Sequence, residues 1–183
     1  MNVIETPIKG LLILEPKVHG DERGYFFESF NNNTFKQVTG LDVNFVQDNQ
    51  ARSTKNVLRG LHYQNTPHAQ TKLIRALEGG IWDVVVDLRK DSETYGRWYG
   101  VELTAENKRQ FLIPKGFAHG YSVLTDTAEV FYKCDDFYSR EDEGGLYYAD
   151  PEVNIDWKIN LADAIISEKD KVQPTLKENN SRF

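Results

Sequence analysis

The sequence predicts an all-β protein, a sandwich or closed barrel with only short peripheral helices. Three observations support this prediction. Ten short segments rich in β-branched and aromatic residues recur along the 183 residues, often with alternating polar and apolar positions. Turn-forming stretches such as HGDERG, NTPHAQ and EGG separate these segments. Helical periodicity is weak along the whole chain.

The elements follow one another at short intervals. Helices are expected only over Asn32–Val38 and, for about one turn, near Asn160–Ile166. We expect one domain over residues 1–183, with a polar and loosely ordered tail from about residue 175. The expected strands are Gly10–Pro16, Tyr25–Phe30, Val43–Gln50, Val57–Gln64, Thr71–Leu77, Ile81–Leu88, Trp98–Leu103, Gln110–Ile113, His119–Leu124 and Ala128–Cys134.

Composition excludes several classes of function. With 22 basic and 28 acidic residues the net charge is −6, and no basic patch suggests nucleic-acid binding. No apolar run reaches the roughly 20 residues of a membrane helix, so no membrane partner is expected. The N-terminal residues lack the pattern of a secretory signal. The single cysteine, Cys134, cannot form an internal disulfide, and we expect a cytoplasmic location.

Two of the four histidines lie in expected strands beside glycines, which would leave room for a ligand. Alternation in VLRGLHYQ places His62 on one face and Arg59 on the other. A bulge at Gly60 would bring the two side chains together, since glycine within a strand often marks one. Lys72 and Asp83, on neighbouring strands, could pair inside a β-barrel. A single strand histidine is more often a core or rim residue than a catalyst.

The stretch PKGFAH, Pro114 to His119, is the P-x-G-x-x-H signature of the cupin jelly roll, and it predicts that barrel. Metal-binding cupins also need an H-x-H motif followed by a carboxylate. The corresponding residues here are His62-Tyr63-Gln64, so the second histidine is missing. The remaining candidates (His62, Glu78 and His119) are poorly spaced. We therefore expect neither a metal nor another cofactor.

Six motifs, in the same order along the chain, resemble the dTDP-4-dehydrorhamnose 3,5-epimerase family. They cover almost the whole chain, to about Asp170. The resemblance implies a metal-free, homodimeric cupin-type jelly roll that acts on a nucleotide-linked 4-keto-6-deoxy sugar. The motifs are GDERGYFFESFN, FVQDNQARS, NVLRGLHYQ, AENKRQFLIPKGFAHGY, YKCDDFYS and SEKD.

The implied substrate is dTDP-4-dehydro-6-deoxy-α-D-glucose, whose C3 and C5 protons flank a ketone. By resemblance His62 is the base, and an ordinary imidazole has a pKa of about 6.5, close to working pH. Asp170 would hold the tautomer of its ring, as the triad aspartate does in serine proteases. Tyr132 would return a proton from the opposite face. Lys72 would stabilise negative charge on the C4 oxygen.

The resemblance also implies binding roles. Arg23 and Arg59 match positions that bind the pyrophosphate, which suits planar guanidinium groups. His119 is expected near the sugar or phosphates, supported by Asp83, and Tyr138 matches an aromatic residue that stacks on thymine. Glu168 lies where the family often has a basic residue. The remaining expected ligand contacts are Phe26, Glu28, Gln47, Asn49 and Glu143.

Three alternatives stay open from the sequence. The first is a related epimerase that inverts only C3 or only C5. The second is a metal-dependent cupin enzyme, which the incomplete H-x-H motif disfavours. The third is a jelly roll that binds a sugar nucleotide without catalysis, which would not need the catalytic set of His62, Lys72, Tyr132 and Asp170.

Overall fold

The computed structural model describes residues 1–183 and consists mainly of short strands. Neither α-helix has the length and apolar character needed to cross a membrane. In chain order the elements are β1 (Asn2–Glu5), β2 (Leu12–Glu15), β3 (His19–Asp21), β4 (Gly24–Phe26), α1 (Asn32–Thr39), β5 (Gln47–Thr54), β6 (Val57–Gln64), β7 (Lys72–Glu78), β8 (Gly80–Asp87), β9 (Trp98–Thr104), β10 (Gln110–Ile113), β11 (Phe117–Val123), β12 (Thr127–Cys134), β13 (Glu143–Gly145), β14 (Ile165–Ile166) and α2 (Glu168–Lys171).

Two antiparallel sheets form the body of the molecule. The first has the strand order β1-β2-β10-β7-β12-β5, and the second has the order β13-β6-β11-β8-β9. β14 adds to β6 in parallel, and β3 and β4 form a separate hairpin. Residues from both sheets, among them Ile74, Val85 and Phe111, form a 16-residue core. The predicted all-β class and cupin-type jelly roll are confirmed.

The second sheet is buried on both faces. One face contributes to the main core, and the other packs under a second cluster that includes Leu58, Val84 and Trp157. This explains why the strand IWDVVVD reads as a nearly continuous apolar run rather than an alternating one. Val84, Val85 and Val86 are all fully buried. The sheet that carries β6 and β11 is therefore packed on both sides.

The helix α1 agrees with its prediction. The Asn31 side chain accepts hydrogen bonds from the amides of Asn33 and Thr34, and Gly40 ends the helix in the left-handed conformation. The expected turn near residues 160–166 is a 3₁₀ turn at Leu161–Asp163, followed by β14.

Several strand predictions differ from the structure at their ends, and in two of them the difference reaches four residues. The strand expected over Val43–Gln50 begins at Gln47 instead, because Phe45 packs against Phe30 and Phe35 beside α1. The strand expected over Tyr25–Phe30 stops at Phe26. In both places apolar side chains serve a small core under α1 rather than a strand ladder.

The tail is packed, contrary to the expectation of loose order. Its main-chain amide at Arg182 donates to Asn65 Oδ1 at 2.8 Å. The Phe183 ring lies 5.8 Å from that of Tyr63, and Ser181 is buried. Polar composition predicted disorder here, but the buried side chains and hydrogen bonds come from contacts with the end of β6.

Candidate active site

A cavity of about 490 Å³ opens between the two sheets. β5, β7 and β12 contribute from the first sheet and β6 and β11 from the second, with the segment around α2 closing one side. The cavity brings together all four predicted catalytic residues. Its lining residues are Ala51, Val57, Leu58, Arg59, His62, Lys72, His119, Gly120, Tyr121, Tyr132, Ile165, Ile166, Ser167, Lys169 and Asp170.

A bulge in β6 places Arg59 and His62 in the same cavity. His62 pairs with His119 and Arg59 pairs with Tyr121, so β6 has one residue more than β11 between these partners. Gly60, with φ 115°, lies in the irregular stretch. The bulge considered at this glycine is present, and it overcomes the alternation that would have separated the two side chains.

We had expected the glycines of this region to make room for a ligand, and they do not. A Cβ on Gly60 would lie 2.6 Å from the Gly120 Cα, and a Cβ on Gly120 would lie 2.6 Å from the Arg59 carbonyl oxygen. Each glycine therefore admits the neighbouring backbone. Their effect on the site is indirect, because close approach of β6 and β11 fixes the positions of the two histidines.

His62 and Asp170 form a close pair. His62 Nε2 lies 2.6 Å from Asp170 Oδ1, and the Gly60 amide donates to Asp170 Oδ2 at 3.2 Å. Burial raises the pKa of Asp170, but the contacts with His62, Gly60 and Ser167 outweigh it and hold that pKa below its usual value. The ionised carboxylate fixes the ring, which leaves Nδ1 as the nitrogen able to take a proton.

Tyr132 enters the cavity from the opposite sheet to His62. Burial raises the pKa of its phenol to about 12, with smaller contributions from Cys134 and Tyr121. The phenol therefore keeps its proton at neutral pH. It can act as a proton donor on the side of the cavity away from the imidazole.

Lys72 lies in the cavity without a direct carboxylate partner. Burial lowers the pKa of its ammonium group, and Cys134, Asp83 and Glu143 oppose that shift. Asp83 pairs with His119 rather than Lys72, since both its oxygens lie 3.0 Å from His119 Nε2. The direct Lys72–Asp83 pair considered from the sequence is thus not formed, and the ammonium is free to face an anionic oxygen.

Four residues predicted to bind the nucleotide form a connected group. Gln47 Nε2 donates to Asn49 Oδ1 at 3.2 Å, and Gln47 Oε1 accepts from the Tyr138 amide at 3.0 Å. The Tyr138 hydroxyl donates to Glu143 at 3.1 Å, and Glu143 pairs with Lys169 at 2.6 Å. Since Lys169 lines the cavity, this group lies beside its opening.

Three predicted binding residues lie elsewhere. Arg23 and Phe26 line a separate cavity at the β3–β4 hairpin, where Arg23 pairs with Asp21. Glu28 follows the hairpin and accepts a hydrogen bond from Asn31. None of the three borders the cavity that holds His62. Within one chain the structure does not unite them with the rest of the site.

Sequence reasoning missed several side chains of the site. Lys169 borders the cavity, whereas Glu168 pairs with Lys171 and points to the surface. The family often has a basic residue at position 168. In this chain the basic side chain at the cavity is that of Lys169, one position later. Ser53 accepts a hydrogen bond from Arg59 Nε at 3.0 Å, which holds the guanidinium group. The alternation of side-chain directions along the motif ARS does not predict the contact between Ser53 and Arg59.

The described side chains form no group of three or more His, Cys, Asp or Glu residues suited to a metal ion. His62 and His119 each face their own aspartate. Glu78, the third candidate considered, pairs with Arg52. The donor set therefore does not fit the metal site of a cupin.

Comparisons with known proteins agree with this geometry. Residues 5–178 match the family model described as dTDP-4-dehydrorhamnose 3,5-epimerase. The enzyme of that name from Shigella flexneri is 55% identical over 93% of this chain and 93% of its own length. The crystal structure of the Elizabethkingia anophelis enzyme superposes with a TM-score of 0.94 at 54% identity, covering 98% of both chains.

A second crystal structure carries a bound sugar nucleotide. It is the dTDP-6-deoxy-D-glucose-3,5-epimerase of Legionella pneumophila in complex with dTDP-4-keto-L-rhamnose. Its TM-score is 0.94 at 47% identity, and the match covers 100% of this chain and 98% of that one. With a family match over nearly its full length, this chain belongs to the dTDP-4-dehydrorhamnose 3,5-epimerase family.

Proposed function

We propose that this chain inverts C3 and C5 of dTDP-4-dehydro-6-deoxy-α-D-glucose, giving dTDP-4-dehydro-β-L-rhamnose for dTDP-L-rhamnose biosynthesis. It is an isomerase of the racemase and epimerase class. One observation carries the proposal: the His62–Asp170 pair and the Tyr132 phenol enter one cavity from opposite sheets. The ligand named for the Legionella structure supports the same substrate class.

Each inversion is a proton removal followed by a proton return. His62 Nδ1 takes the proton from the carbon beside the C4 ketone, and the electron pair moves onto the C4 oxygen as an enolate. Tyr132 then gives its phenolic proton to the opposite face of that carbon, and the ketone re-forms. Water exchanges protons with the imidazolium and the phenolate before the second carbon reacts.

Lys72 stabilises the charge on the C4 oxygen. The enolate places negative charge where the ground-state ketone has little, so a fixed cation nearby lowers the barrier selectively. Lys72 suits this role because Asp83 and Glu143 are already paired with His119 and Lys169. Its lowered pKa reflects a desolvated cation, and such a charge acts more strongly than one in water.

Binding of the nucleotide uses the opening of the cavity. Arg59, held by Ser53, offers its remaining guanidinium donors to the pyrophosphate, and His119 lies nearby on β11. Tyr138 is 58% exposed at the opening, where its ring can stack on thymine. Gln47, Asn49 and Glu143 complete that edge.

Incubation of dTDP-4-keto-6-deoxyglucose in D₂O tests the reaction. We expect deuterium at both C3 and C5 of the product, read by NMR. Tyr132→Phe should still exchange deuterium through His62, yet form inverted product at least about a hundredfold more slowly. Deuterium at C3 alone would contradict the double inversion. Exchange at neither carbon would indicate a binding protein instead.

No metal or other cofactor is needed in this scheme. The donor set does not fit a metal ion, and the imidazole, phenol and ammonium supply the base, acid and cation. Activity should therefore survive exhaustive chelation. Loss of activity on chelation, restored by iron or manganese, would favour the metal-dependent alternative.

The active form is proposed to be a homodimer whose sites combine residues of two copies. The β3–β4 hairpin projects exposed aromatic residues, with Tyr25 62% and Phe26 73% exposed. Arg23, Phe26 and Glu28 are expected to contact the same substrate as Arg59, yet they do not border its cavity. A hairpin donated by a second copy would reconcile the two observations.

Mixing two impaired variants tests this arrangement. His62→Asn and Arg23→Ala should each have little activity alone. A mixed dimer contains one site with both residues intact, so refolding the two together should restore up to about a quarter of full activity. A monomer in solution, or no restoration on mixing, would contradict the shared site.

Two further expectations remain proposals. We place all 183 residues in one domain, supported by the core that both sheets share and by the packing of the tail against β6. A cytoplasmic location is supported by the single, buried and free Cys134, which suits a reducing compartment.

A further inference from the structure

Gln64, the last residue of β6, holds the loop that carries Tyr138. Its side chain is buried. Nε2 donates to the carbonyl oxygens of His68 at 2.6 Å and Phe137 at 3.2 Å, and Oε1 accepts from the Ser139 amide at 2.8 Å. One amide group therefore grips the main chain on both sides of Tyr138.

Apart from the Gln64 clamp, two hydrogen bonds hold Tyr138. The residue lies between β12 and β13, in a segment without regular structure, and it is more than half exposed. Its amide donates to Gln47, and its hydroxyl donates to Glu143. Because no strand ladder runs through this loop, the direction of the ring depends on these two contacts and on the flanking peptide groups that Gln64 holds.

We propose that Gln64 is a positioning residue for the nucleotide, which fixes the Phe137–Ser139 backbone so that the Tyr138 ring is presented to the base. This rests on the proposed function, in which Tyr138 stacks on thymine. Gln64 follows His62 by two residues on the same strand, a rise of about 7 Å. β6 therefore sets both the position of the base catalyst and that of the nucleobase platform.

The benefit of such a clamp is preorganisation. A stacking ring that is already oriented loses less conformational freedom when the ligand binds, so more of the stacking energy appears as affinity. Stacking of a base on an aromatic ring contributes enough that its loss weakens binding about tenfold. The phosphate contacts of Arg59 lie on the other side of the bulge and do not depend on this loop.

Gln64→Glu tests the proposal with little change in shape. It retains an acceptor for the Ser139 amide but turns a carboxylate oxygen toward the carbonyls of His68 and Phe137. We expect the dissociation constant for dTDP and the KM for the sugar nucleotide to rise about tenfold, with kcat reduced less than about threefold. Inhibition by inorganic pyrophosphate should be unchanged, because that ligand has no base.

Asn107→Asp is the matched control. Asn107 also clamps backbone groups, donating to the Glu102 carbonyl and accepting from the Thr104 and Arg109 amides, but in the turn between β9 and β10. This variant should bind dTDP like the unchanged protein. Gln64→Met keeps the volume of the side chain and loses all three hydrogen bonds, and it should repeat the selective loss if the glutamate variant folds poorly.

A combined variant separates positioning from general damage. In the Tyr138→Ala background, Gln64→Glu should weaken dTDP binding no further, because the clamp acts through that ring. Additive losses, or an equal loss of pyrophosphate affinity, would overturn the positioning role. Normal dTDP binding by Gln64→Glu beside weak binding by Tyr138→Ala would do the same while leaving the proposed function intact. Normal binding by Tyr138→Ala would remove the stacking assignment itself.

Discussion

Two histidines lie side by side on neighbouring strands, and each is paired with an aspartate. The geometries of the two pairs differ. His62 of β6 and His119 of β11 are register partners. His62 contacts a single oxygen of Asp170 at 2.6 Å, and its side chain is 34% exposed. His119 lies 3.0 Å from both oxygens of Asp83, and only 10% of its side chain is exposed. The first pair opens to the cavity and the second is almost closed.

The two carboxylates differ as well. Burial raises the pKa of Asp83, although His119 and Lys72 oppose the shift, whereas the pKa of Asp170 is lowered. Asp170 has one oxygen for His62 and the other for the Gly60 amide, so each has its own donor. Asp83 offers both oxygens to one ring nitrogen. The same residue types thus give a base that faces the cavity in the His62–Asp170 pair and a buried structural contact in the His119–Asp83 pair.

Replacing each histidine in turn should give the largest difference between the two pairs. His62→Asn removes the base, so kcat should fall by ~10²–10⁴-fold, the contribution typical of a positioned base. His119→Asn should raise KM and reduce kcat by no more than about tenfold. Steady-state kinetics and solvent deuterium exchange measure both. Comparable losses of kcat in the two variants would show that His119 also handles a proton.

The residue types of both pairs could be predicted from the sequence, but their geometry could not. The motifs NVLRGLHYQ and PKGFAH point to His62 and His119, and the bounds of β6 and β10 agree with the predictions. The aspartate partner of each ring was given by the family resemblance alone, because no local pattern relates the two residues of a pair. Asp170 is 108 positions from His62, on a four-residue helix whose pattern is too short to predict.

Other parts of the site depend on contacts that local patterns do not encode. The bulge at Gly60 follows from the fit of β6 against β11, so the glycine only made it possible. Likewise the Gln64 amide reaches a loop more than 70 positions away. The hairpin residues Arg23 and Phe26 were identified by motif, yet a motif does not say which copy of the chain supplies them.

The aspartates give the second test of the comparison. Asp170→Asn has one oxygen for two donors, so either the His62 ring or the Gly60 amide must meet an NH₂ group. We expect kcat to fall about a hundredfold or more, because the ring loses its fixed tautomer. Asp83→Asn can still offer its oxygen to His119 Nε2, and kcat should fall less than about tenfold. Equal losses in the two variants would contradict the difference drawn between the pairs.

Acid stability should separate Asp170→Asn from the unchanged protein too. The lowered pKa of Asp170 means that its carboxylate stabilises the fold above the pKa of the unfolded chain, and this contribution is lost as pH falls through the folded value. Thermal unfolding from pH 7 to pH 3 should therefore show a smaller decline in the asparagine variant. Parallel declines would show that ionisation of Asp170 adds nothing to stability.

The smallest expected effect is a shift of the pH profile through Lys72, whose pKa the carboxylate of Asp83 raises. Lys72 has a lowered pKa, so its charge is lost at a lower pH than that of an ordinary lysine, and the alkaline limb of kcat/KM should follow it. Tyr132, with a pKa raised to about 12, titrates too late to set that limb. The activity that Lys72→Arg retains should have its alkaline limb at higher pH, because guanidinium stays charged. Asp83→Asn removes a charge that raises the pKa of Lys72, so it should move the limb to lower pH. If the limb is unmoved in both variants, Lys72 is not the cation that the enolate meets.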